Sequence, residues 1–297
     1  MTSAQTRDVG VRPATESDLG VITAIAMATG QEEDWDVVFP AYVRHLIRHG
    51  SLLVAERAGA VTGYGATLRI GDGPDAICML TDLFVNPAAH GTGTGRALLD
   101  ILLAGEPRLM TFSSLHGHAL PLYTSFGMDA WWPLLYIRGD VRQLAMPGGW
   151  SVMAAEPEQV GALEREWTGI DRTADHAFWA GWPHGSGVIA SQGGRPAAAA
   201  TVSVAGAECG IRHLAADPLA AGSDVAVNAG VARDAVVAVL SWLDPPGGAA
   251  RVCLPAPHPA VRALLAAGWR VEEFDLYMAS EPGLVDPHRA VPSPGLA

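Results

Sequence analysis

A glycine-rich segment, "HGTGTGR" at residues 90–96, stands between a run typical of a strand, "LFV", and an apolar run typical of a helix. Where a helix begins after such a turn, several backbone N–H groups lack carbonyl partners and point outward together, with the positive end of the helix dipole behind them. Glycines at 91, 93 and 95 allow tight-turn dihedral angles and leave room for a phosphate to approach the backbone. The segment predicts an anion site, with a glycine-rich turn that binds nothing as the alternative.

Two common nucleotide-binding motifs do not fit these glycines. A dinucleotide fingerprint G-x-G-x-x-G that starts at Gly91 meets Arg96 at its last position, and one that starts at Gly93 meets Leu98. All nineteen basic residues of the chain are arginines. A Walker phosphate loop and a Schiff-base mechanism both need lysine, so both are excluded.

The composition narrows the class of protein further. A formal net charge of −12 argues against broad contact with nucleic-acid phosphates and favours a cationic or neutral partner. Cys78, Cys209 and Cys253 are too far apart for a disulfide framework or a paired zinc-ligand spacing, so we expect no metal. No apolar run approaches a membrane-spanning length, and the polar N-terminus lacks a signal-peptide pattern, so we expect a cytoplasmic location without membrane contact.

The elements that would position the glycine segment follow from hydrophobic periodicity. A strand in "VRP" precedes a helix, and a second helix covers "WDVVFPAYVRHLIRHG", which Pro40 must start, kink or interrupt. Two strands turn near residues 58–60, "AICMLTDLFV" is a third, and "ALLDILLAG" is the helix after the glycines. A strand "RLMTFSS", a short helix ending "LYTSFGM" and two strands in "AWWPLLYIRGD" follow. This order predicts an α+β fold, a mixed sheet with helices on its faces.

The second half repeats this order. Cys78–Pro87 aligns without a gap on Cys209–Pro218, matching cysteine, leucine and proline, and "LYTSFGM" has a counterpart in "LLAAGWR". We interpret the chain as a tandem duplication, with a first domain at 1–145, a linker over Ala145–Trp150 and a second domain at 150–281. Residues 282–297 are rich in proline and glycine and are expected to form a flexible tail.

The strand "LFV", Pro87, His90 and the glycines before an apolar helix resemble the acyl-CoA loop of the GCN5-related N-acetyltransferase (GNAT) family. That family's pattern is Gln or Arg, two residues, Gly, one residue, then Gly or Ala, and His90, Gly93 and Gly95 fill it. The resemblance covers roughly Val11–Asp140, and the second half is similar to the degenerate domain of tandem members. It implies two GNAT-like domains, each a mixed, largely antiparallel twisted sheet flanked by helices.

A second family pattern lies further along the chain. Many members carry Asn, Ala, Tyr and Gly at a spacing that His116, Ala119, Tyr123 and Gly127 reproduce here. The resemblance implies that Tyr123 protonates the leaving thiolate, since a phenol with a pKa near 10 is protonated at neutral pH. Packing of the helix against the sheet is the alternative role for this tyrosine.

The resemblance also implies transfer of an acetyl group from acetyl-CoA to a primary amine of a small molecule or peptide, by direct transfer in a ternary complex. The pantetheine arm would run beside the strand, and the glycine segment would wrap the pyrophosphate. The implied donor-binding residues are Leu83, Phe84, Val85, His90, Gly91, Thr92, Gly93, Thr94, Gly95, Arg96 and His116. A non-catalytic acyl-CoA sensor or protein-interaction module is the alternative function, and the protein could be a monomer or a homodimer.

The general base is the gap in this resemblance. An amine with a pKa of about 10.4 is almost entirely protonated at pH 7, so a group must accept its proton or desolvate it. Many relatives have a glutamate where this chain has Thr81, and strand alternation predicts that Asp82 faces the opposite side. The remaining candidates are His116, His118, a water chain, and Asp34 or Asp36.

The acceptor side is less defined. The acidic stretch "QEEDWD", with Glu32, Glu33, Asp34 and Asp36, lies where the family places acceptor-binding helices. It could attract a cationic amine or be a solvated helix start. Trp131 and Trp132 could form a wall of the acceptor pocket or pack in the core.

The second half lacks the features that would make it active. No G-x-G-x-G follows Pro218, and Leu264 stands where Tyr123 stands in the first half. We expect Asp171, Arg172, Asp175 and His176 to form a structural salt-bridge cluster, with a substrate wall as the alternative. His45 and His49 share a helix face without the glutamate of a zinc-protease helix, and we expect them at the surface.

Overall fold

The computed structural model describes residues 9–30, 39–204, 209–219 and 225–296. Contacts divide the chain into two compact parts. Unit 1 comprises residues 1–111 and 121–128, and unit 2 comprises residues 112–120 and 129–297.

The elements of the first half are β1 (Gly10–Pro13), α1 (Leu19–Ala28), α2 (Phe39–His49), β2 (Ser51–Arg57), β3 (Ala60–Ile70), β4 (Ile77–Val85), α3 (Thr94–Leu102), β5 (Leu109–Ser113) and α4 (Ala119–Thr124). The sheet of unit 1 has the strand order β1-β2-β3-β4-β5, in which neighbours are antiparallel except for the parallel pair β4 and β5. Pro40 is the second residue of α2 and therefore starts this helix, which is one of the three outcomes that the sequence predicted.

Helix α3 packs on the sheet of unit 1 through its apolar face. Leu98 and Leu99 are fully buried there, in keeping with the predicted periodicity. The start of the helix approaches β3 closely at Gly63, where an added Cβ would lie 3.0 Å from the Thr94 methyl group and 2.9 Å from the Phe84 carbonyl oxygen. Gly63 therefore fixes how near the beginning of α3 lies to the sheet.

The elements of unit 2 are β6 (Asp129–Asp140), β7 (Trp150–Ala155), α5 (Pro157–Thr168), α6 (Thr173–Ala180), β8 (Gly185–Gln192), β9 (Arg195–Ser203), β10 (Gly210–Ala216), α7 (Val225–Trp242), β11 (Ala249–Pro255), α8 (Pro259–Ala266) and β12 (Arg270–Ala279). Its sheet has the strand order β12-β6-β11-β10-β9-β8-β7, in which neighbours are antiparallel except for the parallel pair β10 and β11.

None of the described helices is long and apolar enough to cross a bilayer.

Strand β6 differs from the prediction in two ways. The sequence indicated two strands in "AWWPLLYIRGD", whereas Asp129–Asp140 forms one strand. It was also predicted inside the first domain, but it lies in unit 2, where it pairs with β11 on one side and β12 on the other. Gly139 allows this packing, because an added Cβ would come within 2.2 Å of the Trp269 indole. Local periodicity carries no information about such a distant partner.

The C-terminal segment, residues 282–296, is also different from the flexible tail that its composition predicted. Val291 and Leu296 are 0% and 1% exposed. Val291 and Leu214 exchange two backbone hydrogen bonds of 3.0 Å each, and the Leu296 carbonyl accepts a 2.8 Å hydrogen bond from Arg172. Two buried apolar side chains and paired backbone groups hold this segment on unit 2 despite its prolines.

A β-bulge interrupts β4. Asp82 and Leu80 oppose the adjacent β3 residues Ala66 and Thr67, so Thr81 is an extra residue without a directly opposed partner. The Thr81 hydroxyl donates a 3.2 Å hydrogen bond to the Ala66 carbonyl. Side-chain alternation therefore changes at this point of the strand.

The same bulge occurs in β10. His213 and Ile211 oppose the adjacent β9 residues Thr201 and Val202, and Arg212 is the extra residue. The predicted gap-free alignment of the two halves places Arg212 on the bulged residue of β4. Matching register and bulge confirm that alignment pair for pair.

Both strands also leave their parallel partners at the same point. Pairing of β4 with β5 ends at Leu80, although β4 continues to Val85. Pairing of β10 with β11 ends at Ile211, although β10 continues to Ala216. Each unit therefore has one strand whose second half has lost its parallel neighbour.

Candidate functional site

The loop after β4 is held by its own polar groups. The Asn86 side chain accepts a 3.0 Å hydrogen bond from the Ala88 N–H and starts a short 3-10 turn over Pro87–Ala89. The His90 ring nitrogen Nε2 lies 2.9 Å from the Val85 carbonyl oxygen, at hydrogen-bond distance. His90, predicted to contact the acyl donor, thus also ties the loop to the end of the strand.

The three glycines of the loop have different roles. Gly91 and Gly93 have φ angles of +74° and +88°, and Gly93 immediately precedes α3. Side chains are strained in that region, so the turn itself requires these two glycines. Gly95 lies within α3, and an added Cβ there would meet only side chains, at 3.6–3.8 Å, those of Leu122, Leu83 and Val85. Among the described residues, no packing contact requires a glycine at 95, because an added methyl group would make ordinary van der Waals contacts with these three apolar side chains.

The start of α3 presents donors that the chain itself does not use. Within the described ranges, no backbone carbonyl accepts a hydrogen bond from the N–H groups of residues 93–96. Thr92 and Thr94 brace the turn, with 3.0 Å between their hydroxyl oxygens. Arg96 donates a 2.7 Å hydrogen bond to the Ser125 hydroxyl, and its guanidinium lies 5.2 Å from the centre of the Phe126 ring. The start of α3 is therefore an array of backbone donors of the kind that binds anions, and the Arg96 side chain of its first turn is held by Ser125 and Phe126.

Tyr123 lies on α4 in the same unit and is 7% exposed. Gly127, with a φ of +85°, closes this helix, and the Met128 N–H donates a 3.3 Å hydrogen bond back to the Tyr123 carbonyl. Leu122, the preceding residue, is the one whose side chain lies closest to the vacant Cβ position of Gly95. Burial, with a contribution from the charge of Asp82, raises the pKa of the Tyr123 hydroxyl above its usual range. The phenol is therefore protonated at neutral pH.

Asp82 is a buried carboxylate that the sequence led us to set aside. Its Oδ2 accepts a 2.6 Å hydrogen bond from the Tyr42 hydroxyl. Burial raises its pKa to about 6, although hydrogen bonds from Tyr42 and Thr81 act in the opposite direction. Its charge in turn raises the pKa of Tyr64 and of Tyr123, so it lies near both phenols. The alternation argument against Asp82 fails because the bulge at Thr81 interrupts the alternation.

The two histidines named as alternative bases belong to unit 2. His116 accepts a long hydrogen bond of 3.4 Å from the His118 N–H, and the two rings lie 5.5 Å apart. A donor-binding role for His116 stays a prediction. Residues 31–36, the acidic stretch that includes Asp34 and Asp36, fall outside the described residues.

The tryptophan pair also belongs to unit 2. Trp132 is 8% exposed and stacks on Tyr277 at 4.2 Å between ring centres, which favours core packing over a pocket wall. Trp131 is 40% exposed and donates a 3.0 Å hydrogen bond to the Ala279 carbonyl. Of the pair, only Trp131 is available to a ligand.

The histidines of α2 differ from the prediction in part. His45 was expected at the surface, but it is 6% exposed, because it lies on the helix face that also buries Tyr42 and Leu46. His49 is exposed as predicted, and its ring centre lies 4.7 Å from that of His45.

A buried charged cluster in unit 2 confirms part of the predicted salt-bridge group. Glu164 lies at its centre, 2.6 Å from the Nε2 atom of His176, 2.9 Å from that of His213 and 3.4 Å from the Nε atom of Arg172. Arg172 also lies 3.6 Å from Asp175. The sequence missed Glu164 and His213, because neither has a motif neighbour and both join the cluster only through the fold.

Glu164, His176 and His213 also have the residue types and proximity of a metal site. Their polar atoms, however, hydrogen-bond directly to one another, and the Arg172 guanidinium lies beside the same carboxylate. Burial lowers the pKa of His213, which favours a neutral ring donating its Nε2–H to the carboxylate. A neighbouring guanidinium opposes a second cation, so these residues fit an ion-pair network better than a metal centre.

The Asp171 side chain takes a different place from the one predicted. It lies 2.9 Å from Arg165 and accepts a hydrogen bond from the Thr173 N–H at the start of α6. It therefore accepts the first N–H of α6 at the surface and is separate from the buried cluster.

Comparison with known proteins finds a family model that matches part of the first half. Residues 48–127 match the family model described as "Acetyltransferase (GNAT) domain". This segment contains β4, the glycine loop, α3 and Tyr123. None of the curated proteins matches the chain in sequence.

Solved structures with low sequence identity share the fold over almost the whole chain. A candidate acetyltransferase from Pyrococcus horikoshii has a TM-score of 0.71 at 16% identity, with 98% of this chain and 95% of that chain covered. A GCN5-related N-acetyltransferase from Kribbella flavida gives 0.59 at 13% identity over 94% and 72% of the two chains. A tandem GNAT protein from the clavulanic acid biosynthesis pathway gives 0.57 at 13% identity over 93% and 99%.

These findings agree with the repeat seen in the strand registers: the chain shares the fold of these GNAT structures over almost its whole length, and residues 48–127 match the GNAT domain model.

Proposed function

We propose that this protein transfers an acetyl group from acetyl-CoA to a primary amine of a small molecule or peptide, directly and within a ternary complex. The observation that carries the proposal is the set of unused backbone donors at the start of α3, next to the vacant side-chain position of Gly95. The family match over residues 48–127 supports acetyl transfer in general.

The donor would lie along unit 1 from the helix start to the edge of β4. The N–H groups of residues 93–96 suit a pyrophosphate, and Arg96 adds positive charge. The backbone of Leu83–Val85, beyond the point where β4 leaves its parallel partner, suits the amide groups of the pantetheine arm. The absence of a side chain at Gly95 suits a close approach of the donor to the start of the helix.

Acetyl-CoA supplies the acetyl group as a thioester, so its reaction with an amine releases one proton from nitrogen and requires one at sulfur. Tyr123, protonated at neutral pH, would give its proton to the leaving sulfur. Asp82, with a pKa of about 6, is largely ionised at pH 7 and would accept the proton from the amine, directly or through Tyr42 or water. A base with a pKa close to the working pH is effective in both accepting and returning protons.

The acceptor and the setting follow from the charge. A net charge of −12 favours a cationic amine and disfavours nucleic acid as a partner. We expect a cytoplasmic protein that acts as a monomer or homodimer and requires no metal.

The test is release of free CoA from acetyl-CoA in the presence of a panel of amines: polyamines, amino acids, aminoglycosides and short peptides with free N-termini. Mass spectrometry of each mixture should identify an acetylated amine formed in equal amount to the CoA released. Tight CoA binding without transfer to any amine would favour the acyl-CoA sensor. Failure to bind CoA at all would contradict both functions.

A further inference from the structure

The C-terminal segment of the chain occupies a defined position on β10. Val291 bridges Leu214, each donating its N–H to the other's carbonyl at 3.0 Å. This bridge lies on β10 beyond Ile211, in the part that has left its parallel partner β11. The segment therefore satisfies backbone groups that the divergence of the two strands exposes.

The repeat identifies the corresponding place in unit 1. The matched registers align Leu214 of β10 with Leu83 of β4, and both follow the bulge by two residues. Leu83 is the residue beside which the proposed function places the pantetheine arm. The C-terminal segment thus contacts a strand edge in unit 2, and the equivalent edge in unit 1 is the one where we propose that the acyl donor binds.

We infer that residues 284–296 act as an internal ligand of unit 2, bound at β10 in place of an acyl-donor arm. This inference rests on the proposed function for the identity of the groove, and on the structure of unit 2 for its occupant. It accounts for the absence of both the glycine loop and the tyrosine from the second half, because a strand edge already paired with the chain's own segment cannot pair with an acyl-donor arm.

Buried groups form the contact between this segment and the rest of unit 2. Val291 contributes an apolar side chain that is 0% exposed, and Leu296 contributes another at 1%. The Arg172 guanidinium, which is 7% exposed as a side chain, donates to the Leu296 carbonyl while it contacts Glu164. Removal of the segment would leave Arg172 short of one acceptor inside unit 2.

The opening on β10 is a groove and not a flat edge. A cavity of ≈ 340 Å³ remains beside the segment. Its walls come from three sources, β10, the buried cluster and the segment itself, represented by Leu214, Ala216, Glu164, His213, Val285 and Arg289. The segment therefore fills only part of a larger concave site.

Proteolytic cleavage of the folded chain tests the inference. A specific protease site inserted after the exposed residue Gly283 allows the folded, full-length chain to be cleaved. We expect the released fragment 284–297 to stay bound during size-exclusion chromatography, and to exchange with a fluorescent synthetic peptide of the same sequence. The cleaved protein freed of its fragment should unfold at a lower temperature, and the peptide should restore the original value.

Two control peptides make this test specific. A peptide with Val291→Pro cannot donate to the Leu214 carbonyl and should bind at least 10-fold more weakly, whereas Val285→Ala should bind within about 3-fold of the native peptide. Equal binding of the Val291→Pro peptide, or loss of the fragment without any change in unfolding temperature, would overturn the inference.

Calorimetry with CoA on the uncut chain separates this inference from the proposed function. One CoA per chain supports both, and two per chain would contradict an occupied groove in unit 2. A chain that binds no CoA but still exchanges its C-terminal peptide would contradict the proposed function and leave the internal ligand supported.

Discussion

Asp82 in β4 and His213 in β10 occupy equivalent positions, each directly after the single bulged residue of its strand. Both are buried and both hydrogen-bond to a side chain on a helix, Asp82 to Tyr42 and His213 to Glu164. Asp82 has a raised pKa of about 6 and no cation is paired with it by the hydrogen bonds described. His213 instead meets a carboxylate that also contacts Arg172. One backbone position thus bears a carboxyl group of raised pKa in unit 1 and a histidine bonded to the centre of an ion-pair network in unit 2.

Tyr123→Phe tests the proposed acid. The substitution removes the proton donor but keeps the ring that fills the buried space, so we expect turnover to fall about 100-fold at typical general-acid magnitudes, with little change in CoA affinity. Initial rates of CoA release and calorimetry with CoA measure the two quantities. Tyr136→Phe, which removes a partly buried hydroxyl bonded to Asp275 in unit 2, is the matched control and should keep its turnover. Wild-type turnover in Tyr123→Phe would assign this tyrosine to packing.

Gly93→Asp tests the anion site. It places a negative charge and a strained φ at the residue before α3, so we expect CoA binding to be lost. Gly105→Asp is the control, because Gly105 also has a positive φ, +75°, and is exposed on the loop after α3. Thermal shift with and without CoA measures both variants. A CoA-induced shift in Gly93→Asp equal to that of Gly105→Asp would remove the loop from the donor site.

Asp82→Asn tests the proposed base through pH. In the wild type the rate should rise with pH through about 6, because only the ionised carboxylate accepts a proton. In Asp82→Asn the rate should be low and should lack this rise. The measurement is kcat/KM against pH from 5 to 8. A wild-type inflection that persists in the variant would assign it to another group.

The raised pKa of Asp82 also makes the stability of the wild type depend on pH, whereas the asparagine in Asp82→Asn cannot titrate. The folded-state pKa of Asp82 is raised from 3.8 to about 6, so folding favours the protonated carboxyl, and its contribution is lost as pH rises through 6. A shift of this size corresponds to about 3 kcal/mol. Relative to wild type, the free energy of unfolding of Asp82→Asn should therefore increase by up to that amount between pH 4 and pH 7. Denaturant titration at several pH values measures it, and a constant difference would contradict the raised pKa.

Glu164→Ala tests the buried network of unit 2. Burial alone would raise the pKa of Glu164, but His213, His176 and Arg172 hold it well below its usual range. Removal of the carboxylate leaves a buried arginine without its partner, and we expect a loss of about 3–5 kcal/mol in the free energy of unfolding. The exposed Glu158→Ala on the same helix should cost little. Because a depressed pKa stabilises only above the unfolded value, the difference should shrink as pH falls below 4.5.

Local patterns in the sequence were sufficient for most elements and for the glycine-rich turn before α3. The glycines, the helix after them and the alignment of the two halves depend on neighbours in sequence, and the strand registers confirm that alignment. The face of Asp82 could not be predicted, because a bulge adds a residue without leaving a local signature. The hydrogen bonds between Glu164, His176 and His213 join residues as much as 49 positions apart. Such contacts depend on the assembled sheet and helices.

The pairing of strand β6 bears on whether the two halves could fold as separate proteins. Its sequence belongs to the first copy of the repeat, but its hydrogen bonds are with β11 and β12 of the second. A chain ending at the linker would leave this strand without partners, and the second half alone would lack a strand in the interior of its sheet. Gene fission would therefore damage both products at once. The pairing of β6 is therefore a structural reason for the two halves to stay in one chain, independent of what either half catalyses.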